Sequence, residues 1–94
     1  MIFNSEKIFR KAINIYGEKM QLVVATEELS ELIKEITKLI RGKGNPVNLV
    51  EEIADVRIMI RQLMMICDIT DKEVNDEINF KILRLNDILD HEKD

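Results

Sequence analysis

Apolar residues recur along this chain at spacings of three and four and never alternate strictly, so the pattern predicts helices throughout and no strand. Breaks are few and clustered. Gly42, Gly44 and Pro46 sit together in RGKGNPVN, the one obvious loop. Four segments follow from the periodicity. The first runs from about Ser5, a fitting N-cap, to Tyr16, with Ile8, Phe9, Ala12 and Ile13 on one side and Gly17 as its stop. The second runs from about Glu18 to Arg41, with Leu22, Ala25, Leu29, Leu32, Ile33, Ile36 and Ile40 as its main stripe and Gly42 after it. The third begins near Asn45 or Asn48, with Pro46 suited to a first turn, and ends near Cys67. The fourth opens on the capping box Thr70-x-x-Glu73 and continues to about Leu89, with Val74, Ile78, Ile82, Leu85 and Leu89 inward. The closing DHEKD reads as a frayed tail. Short connections favour antiparallel neighbours, so the expected fold class is all-α, an antiparallel four-helix bundle.

Composition narrows the class. The chain has 94 residues, 46% hydrophobic and 34% charged, which excludes a disordered tail and leaves room for one domain, residues 1–94. A core of this size is marginal alone, so a partner chain is expected, and the bundle is expected to be completed by oligomerisation. A net charge of −4 disfavours binding to a nucleic-acid polymer. The single cysteine, Cys67, allows no internal disulfide and reads as a buried small hydrophobe in a reducing compartment. No apolar run is long enough for a membrane span, and MIFNSEKIFR lacks the pattern of a signal peptide. A cytoplasmic protein is the expectation. The methionines Met59, Met64 and Met65 read as core or oligomer packing.

One pattern does not fit a bland surface. Glu28-x-x-Glu31 on the second helix and Glu52-x-x-Asp55 on the third each offer two carboxylates from one side of a helix. Like charges at that spacing repel unless something positive lies between them. Glu52 and Asp55 line up with Met59 and Ile66, while Glu28 and Glu31 continue a line begun by Met20 and Val24. At ~1.5 Å per residue, Glu31 lies about 16 Å from the Gly42 loop and Asp55 about 14 Å from Pro46. An antiparallel hairpin would therefore bring all four acids to one level. A fourth helix antiparallel to the third would set Lys81 and Arg84 at the height of Asp55. Oxygen donors without His or Cys select Mg²⁺ or Mn²⁺ over zinc. His91, the only histidine, reads as an exposed tail residue.

The run Glu27-Glu28-Leu29-Ser30-Glu31-Leu32, followed by Glu51-Glu52-Ile53-Ala54-Asp55-Val56, resembles the signature of the MazG-like nucleotide pyrophosphohydrolases of the all-α NTP pyrophosphatase superfamily. Asn79-Phe80-Lys81-Ile82-Leu83-Arg84 is similar to the basic segment on their last helix. The resemblance spans Gln21 to Leu85. It implies a helical, usually dimeric or tetrameric enzyme that cleaves nucleoside triphosphates between the α and β phosphates. It implies Glu28, Glu31, Glu52 and Asp55 as catalytic, Mg²⁺-binding residues and Lys81, Arg84 and Asn79 as phosphate contacts. The neighbouring acids Glu27, Glu35 and Glu51 are candidates to accept the proton of the attacking water. There are two departures: Leu85 stands where these proteins often carry a second arginine, leaving one charge fewer on the phosphates, and none of the four aromatics, Phe3, Phe9, Tyr16 and Phe80, is placed over a base as the aromatic residue of larger relatives is.

Two other readings compete. A non-enzymatic, self-associating helical module would carry the same acids as solubilising surface. A small helical enzyme of the chorismate-mutase type would need several cations converging on a dicarboxylate, for which Arg57 and Arg61 are available.

Overall fold

The computed structural model describes residues 4–92; residues 1–3 and 93–94, with the parts of the leader and tail readings that fall on them, lie outside the described residues. The described chain contains four helices and no strand: α1 (Ser5–Tyr16), α2 (Glu18–Ile40), α3 (Pro46–Ile66) and α4 (Asp71–Glu92). The helix ends follow local chemistry. Asn4, not Ser5, caps α1 by accepting from the Lys7 N–H at 3.2 Å. Gly17 separates α1 from α2 at φ 90°, a conformation that suits a residue without Cβ. At the end of α2 the Gly42 N–H bonds to Leu39 and the Lys43 N–H to Lys38, the paired bonds of a Schellman motif, with Gly42 at φ 74°. Asn45, rather than Asn48, caps α3 by accepting from Val47 N–H at 2.9 Å, ahead of Pro46. The capping box of α4 forms as expected: Thr70 Oγ1 accepts from Glu73 N–H, while Glu73 Oε1 accepts from Thr70 N–H. No fray begins at Asp90, because the helix continues to Glu92.

The principal packing is the antiparallel α2–α3 hairpin, with α1 lying across both helices. Its register is set by a buried pair. Gln21 Nε2 donates to Gln62 Oε1 at 2.7 Å, and the two residues are 7% and 4% exposed. Ala25, Val56, Met59 and Met64 are the buried apolar residues of the hairpin, and Phe9 and Ile13 are those of α1, which packs on both helices. The pair makes a separable prediction. Gln62→Leu leaves the Gln21 amide buried without a partner and destabilises the fold by about 1–3 kcal/mol, whereas adding Gln21→Leu recovers most of the loss. Urea denaturation of both variants measures the difference.

The inward face of α2 differs from the expected one. The buried positions are Gln21, Ala25 and Glu35, and the half-buried ones Val24, Glu28, Leu32 and Lys38. Leu22, Leu29, Ile33, Ile36 and Ile40 are exposed, Ile40 by 80%. Only Ala25 and Leu32 belong to both sets. The reason is that α3 takes the polar-containing seam and leaves the richer apolar stripe uncovered.

The four-helix bundle also does not close within one chain. Among the described residues, α4 packs on none of the other helices, and none of its residues is buried. Ile78, Ile82, Leu85 and Leu89, expected inward, are all exposed. The radius of gyration is 16.6 Å, whereas a compact chain of this length has about 12–13 Å. α4 is tied to the body by the turn at Asp68, which holds φ 56°, and by Arg61. The Arg61 guanidinium donates to Asp71 at the start of α4 and to Glu6 of α1 at 2.5 Å. No helix of the described residues is long and apolar enough to cross a membrane.

The start of α4 carries a pH dependence. Arg61 holds the Asp71 carboxyl below its ordinary range, and the Thr70 backbone N–H, then the hydroxyl, do the same for Glu73. A depressed carboxylate stabilises fully above its ordinary value near 4 and loses that contribution as pH falls through the lowered range. Acidification below about pH 4 is therefore expected to fray the first turn of α4. Amide exchange at Glu73 and Val74, read against exchange in mid-α3, checks this.

Candidate metal centre

The Gln21–Gln62 bond carries its register along the hairpin. Seven residues on from Gln21 is Glu28, and seven back from Gln62 is Asp55. Two full turns, about 10 Å, therefore separate the amide pair from a level where these acids face each other. Carboxylate oxygens of Glu28, Glu52 and Asp55 lie within 4.8 Å of one another. Glu28 and Glu52 are half-buried and Asp55 is exposed, so the cluster opens to solvent at one side.

The electrostatics record the crowding. Glu28 is pushed above the usual carboxylate range, first by burial, then by a hydrogen bond with Asp55 and the charges of Asp55, Glu52 and Glu31. Glu52 is pushed the same way by burial, followed by Asp55, Glu31, Glu35 and Glu51. Every contribution raises these two groups and none comes from a basic side chain. One oxygen of Glu52, Oε2, is buried with no hydrogen-bond partner. An all-oxygen donor set with an unsatisfied buried acceptor fits a hard divalent cation.

Three of the four acids singled out by spacing are thus brought together. Glu31 is exposed and stands outside the 4.8 Å group, though its charge reaches both Glu28 and Glu52. Neither a family profile, nor a curated protein, nor a solved structure matches this chain. The site is therefore read from its own geometry.

The basic segment is not at the acids in the single chain. Lys81 lies 3.7 Å from Glu77 of its own helix, and Asn79, Lys81 and Arg84 are exposed on the unpacked α4. The expected antiparallel return of α4 along α3 does not occur, because the turn after Cys67 directs α4 away from the hairpin. Of the two arginines considered for a dicarboxylate, Arg61 is taken by Glu6 and Asp71. Arg57 lines a groove with Phe9, Ile58 and Met64. Cys67 is exposed rather than buried, since it caps the open end of α3. His91 is exposed and bonds through Nδ1 to the Asp87 carbonyl at 2.8 Å.

Of the three candidate proton acceptors Glu27, Glu35 and Glu51, the structure sets Glu35 apart. Glu27 and Glu51 are exposed, while Glu35 is 7% exposed and bonded to Lys38 Nζ at 3.0 Å. The signal was present as a seven-residue recurrence, Gln21–Glu28–Glu35, on one helix seam.

Proposed function

We propose that this protein is a Mg²⁺-dependent, MazG-like nucleoside triphosphate pyrophosphohydrolase, with Mn²⁺ as a substitute metal. It cleaves (d)NTP between the α and β phosphates to (d)NMP and pyrophosphate, in the cytoplasm and as a homodimer or homotetramer. The observation that carries the reading is the convergence of Glu28, Glu52 and Asp55 from two antiparallel helices, with both half-buried members raised in pKa. Surface acids ordinarily spread apart; these are held together at a cost that a bound cation removes.

In this reading Glu28, Glu52 and Asp55 hold the metal, with Glu31 at the rim. Bound there, the ion supplies charge neutralisation on phosphate oxygens and acidifies water. Water attacks phosphorus at the α–β anhydride, and its proton passes to one of the neighbouring acids, Glu27, Glu35 or Glu51. Lys81 and Arg84, with Asn79, contact the phosphates, Arg84 through two parallel donors. Because α4 does not reach the acids of its own chain, those contacts come from α4 of a second copy. The uncovered stripes on α2 and α4 are the surfaces such an assembly uses.

The test incubates the purified full chain with each canonical NTP and dNTP and Mg²⁺. Pyrophosphate and nucleoside monophosphate are expected in equal amounts. Release of orthophosphate alone, or no release from any nucleotide, overturns the reading. The same exposed apolar stripes favour a second reading, a non-enzymatic self-associating module. That reading predicts self-association with no effect of Mg²⁺ on melting, whereas a real site stabilises by mass action, by about 2.7 kcal/mol at a hundredfold excess over Kd.

A further inference from the structure

Two unpartnered surfaces of this chain match each other. The first is a groove between α1 and α3. Phe9 and Met64, both buried, and Ile58 and Ile60, both exposed, line it together with Arg57, and Asp71, the first residue of α4, stands at its rim. Its α3 side runs from Ala54 to Met64, about 15 Å of helix. The second surface is the face of α4 formed by Ile78, Ile82, Leu85 and Leu89, all exposed, which runs for about 16 Å. Charge matches as well as length. α4 carries seven acidic side chains and three basic ones, so it holds the chain's whole net charge of −4. α1 carries Lys7, Arg10 and Lys11 against Glu6 alone, and Glu6 is taken by Arg61. Among the described residues neither those three cations nor Arg57 pairs with an acid. α4 does not fill the groove of its own chain: it starts at the rim, held there by Arg61, and leaves without packing on another helix. The apolar stripe of α2 lies on a single helix and offers no second wall.

We infer that this groove seats α4 of a second copy, the two chains exchanging the helix reciprocally about a two-fold axis. The inference rests on the assembly invoked above and gives it a contact surface. Asp55 follows Ala54 and lies one turn from Ile58, so the acid cluster borders the seat. Lys81 and Arg84 of the second copy share one flank of the seated apolar face, and the seat brings them to the acids. Acids from one chain and cations from the other then make one site, which neither chain completes alone.

The experiment reads assembly alone, by sedimentation velocity of the full chain, with amide exchange to show that the α2–α3 hairpin stays folded. Ile58→Asp should weaken self-association by roughly a hundredfold or more, because the apolar contact is lost twice in a two-fold dimer. Arg57→Glu should weaken it about tenfold and reduce its salt dependence. The decisive sample mixes Ile58→Asp with the double variant Ile82→Asp, Leu85→Asp. One brings a sound α4 and the other a sound groove, so the mixture should form dimers that neither variant forms alone. A mixture that stays monomeric overturns the seat, and so does wild-type association by the groove variants, which points to α4 pairing with itself or with α2. Arg57→Glu, a surface change, decides the matter should Ile58→Asp unfold the hairpin. Those results leave the metal centre standing, because wild-type pyrophosphate release is measured separately. A confirmed seat without that release overturns only the catalytic reading, and a wild type that is monomeric at micromolar concentration overturns the seat.

Discussion

Glu52→Gln is expected to lower Mg²⁺-dependent pyrophosphate release by roughly 10²–10³-fold and, in metal-free buffer, to raise the melting temperature. Both effects have one origin. Glu52 is half-buried beside Asp55, has one oxygen without a partner, and is raised in pKa by burial and then by four neighbouring carboxylates. Charged and without metal, it strains the hairpin; charged with metal, it is a ligand. Glutamine keeps the shape and removes both roles. A carboxyl raised in the folded state binds more protons folded than unfolded between its ordinary and raised values. Metal-free wild type should therefore gain stability as pH falls from 7 through that window, and the gain should shrink in the variant. Magnesium should erase the slope by competing with the protons. Melting curves from pH 5 to 8, with and without Mg²⁺, read all of this in one series. Glu31→Gln should have the smaller effect on every readout, because Glu31 stands outside the converged group. A Glu52→Gln protein that releases pyrophosphate at the wild-type rate removes the metal centre from the mechanism.

Helix existence and most helix ends were legible because they depend on neighbours in sequence. The Thr70–Glu73 box, Asn45 before Pro46, and Gly17 and Gly42 at their stops all act over a few residues. The meeting of Glu28, Glu52 and Asp55 was legible too, because a hairpin with a short loop fixes the level at which residues face each other. What could not be read was the phase of α2. An apolar-stripe argument chooses the face of Leu22, Leu29, Ile33, Ile36 and Ile40, since a polar seam is the costlier one to bury. The hairpin buries Gln21 and Glu35 and half-buries Glu28 instead: Gln21 meets Gln62 and Glu28 meets Asp55 across the seam, while Glu35 is paired with Lys38 of its own helix. α4 failed for a different reason. Its stripe is correctly periodic, but periodicity states that a face wants cover and not which surface covers it.

That uncovered face makes the other large prediction. Replacing Ile82 and Leu85 together with Asp should dissociate the assembly and abolish pyrophosphate release, although neither residue lies in the acid cluster. α4 is 22 residues long with no buried residue, and most helical stability in proteins comes from packing an apolar face rather than from propensity. Ile78, Ile82, Leu85 and Leu89 lie along one side and are all exposed in the single chain. Covering each such side chain contributes about 1.5–3 kcal/mol, so two charged replacements should weaken self-association by about a thousandfold or more. Sedimentation velocity should then show wild type as a dimer or larger and the variant as a monomer. Circular dichroism should show lost helix, confined by amide exchange to α4. Lys81→Ala with Arg84→Ala is the informative contrast: assembly and helicity should survive, while activity falls because the phosphates lose their cations. If wild type sediments as a monomer at micromolar concentration and still cleaves nucleotides, α4 of a second copy is not needed, and the phosphate contacts must come from the hairpin itself.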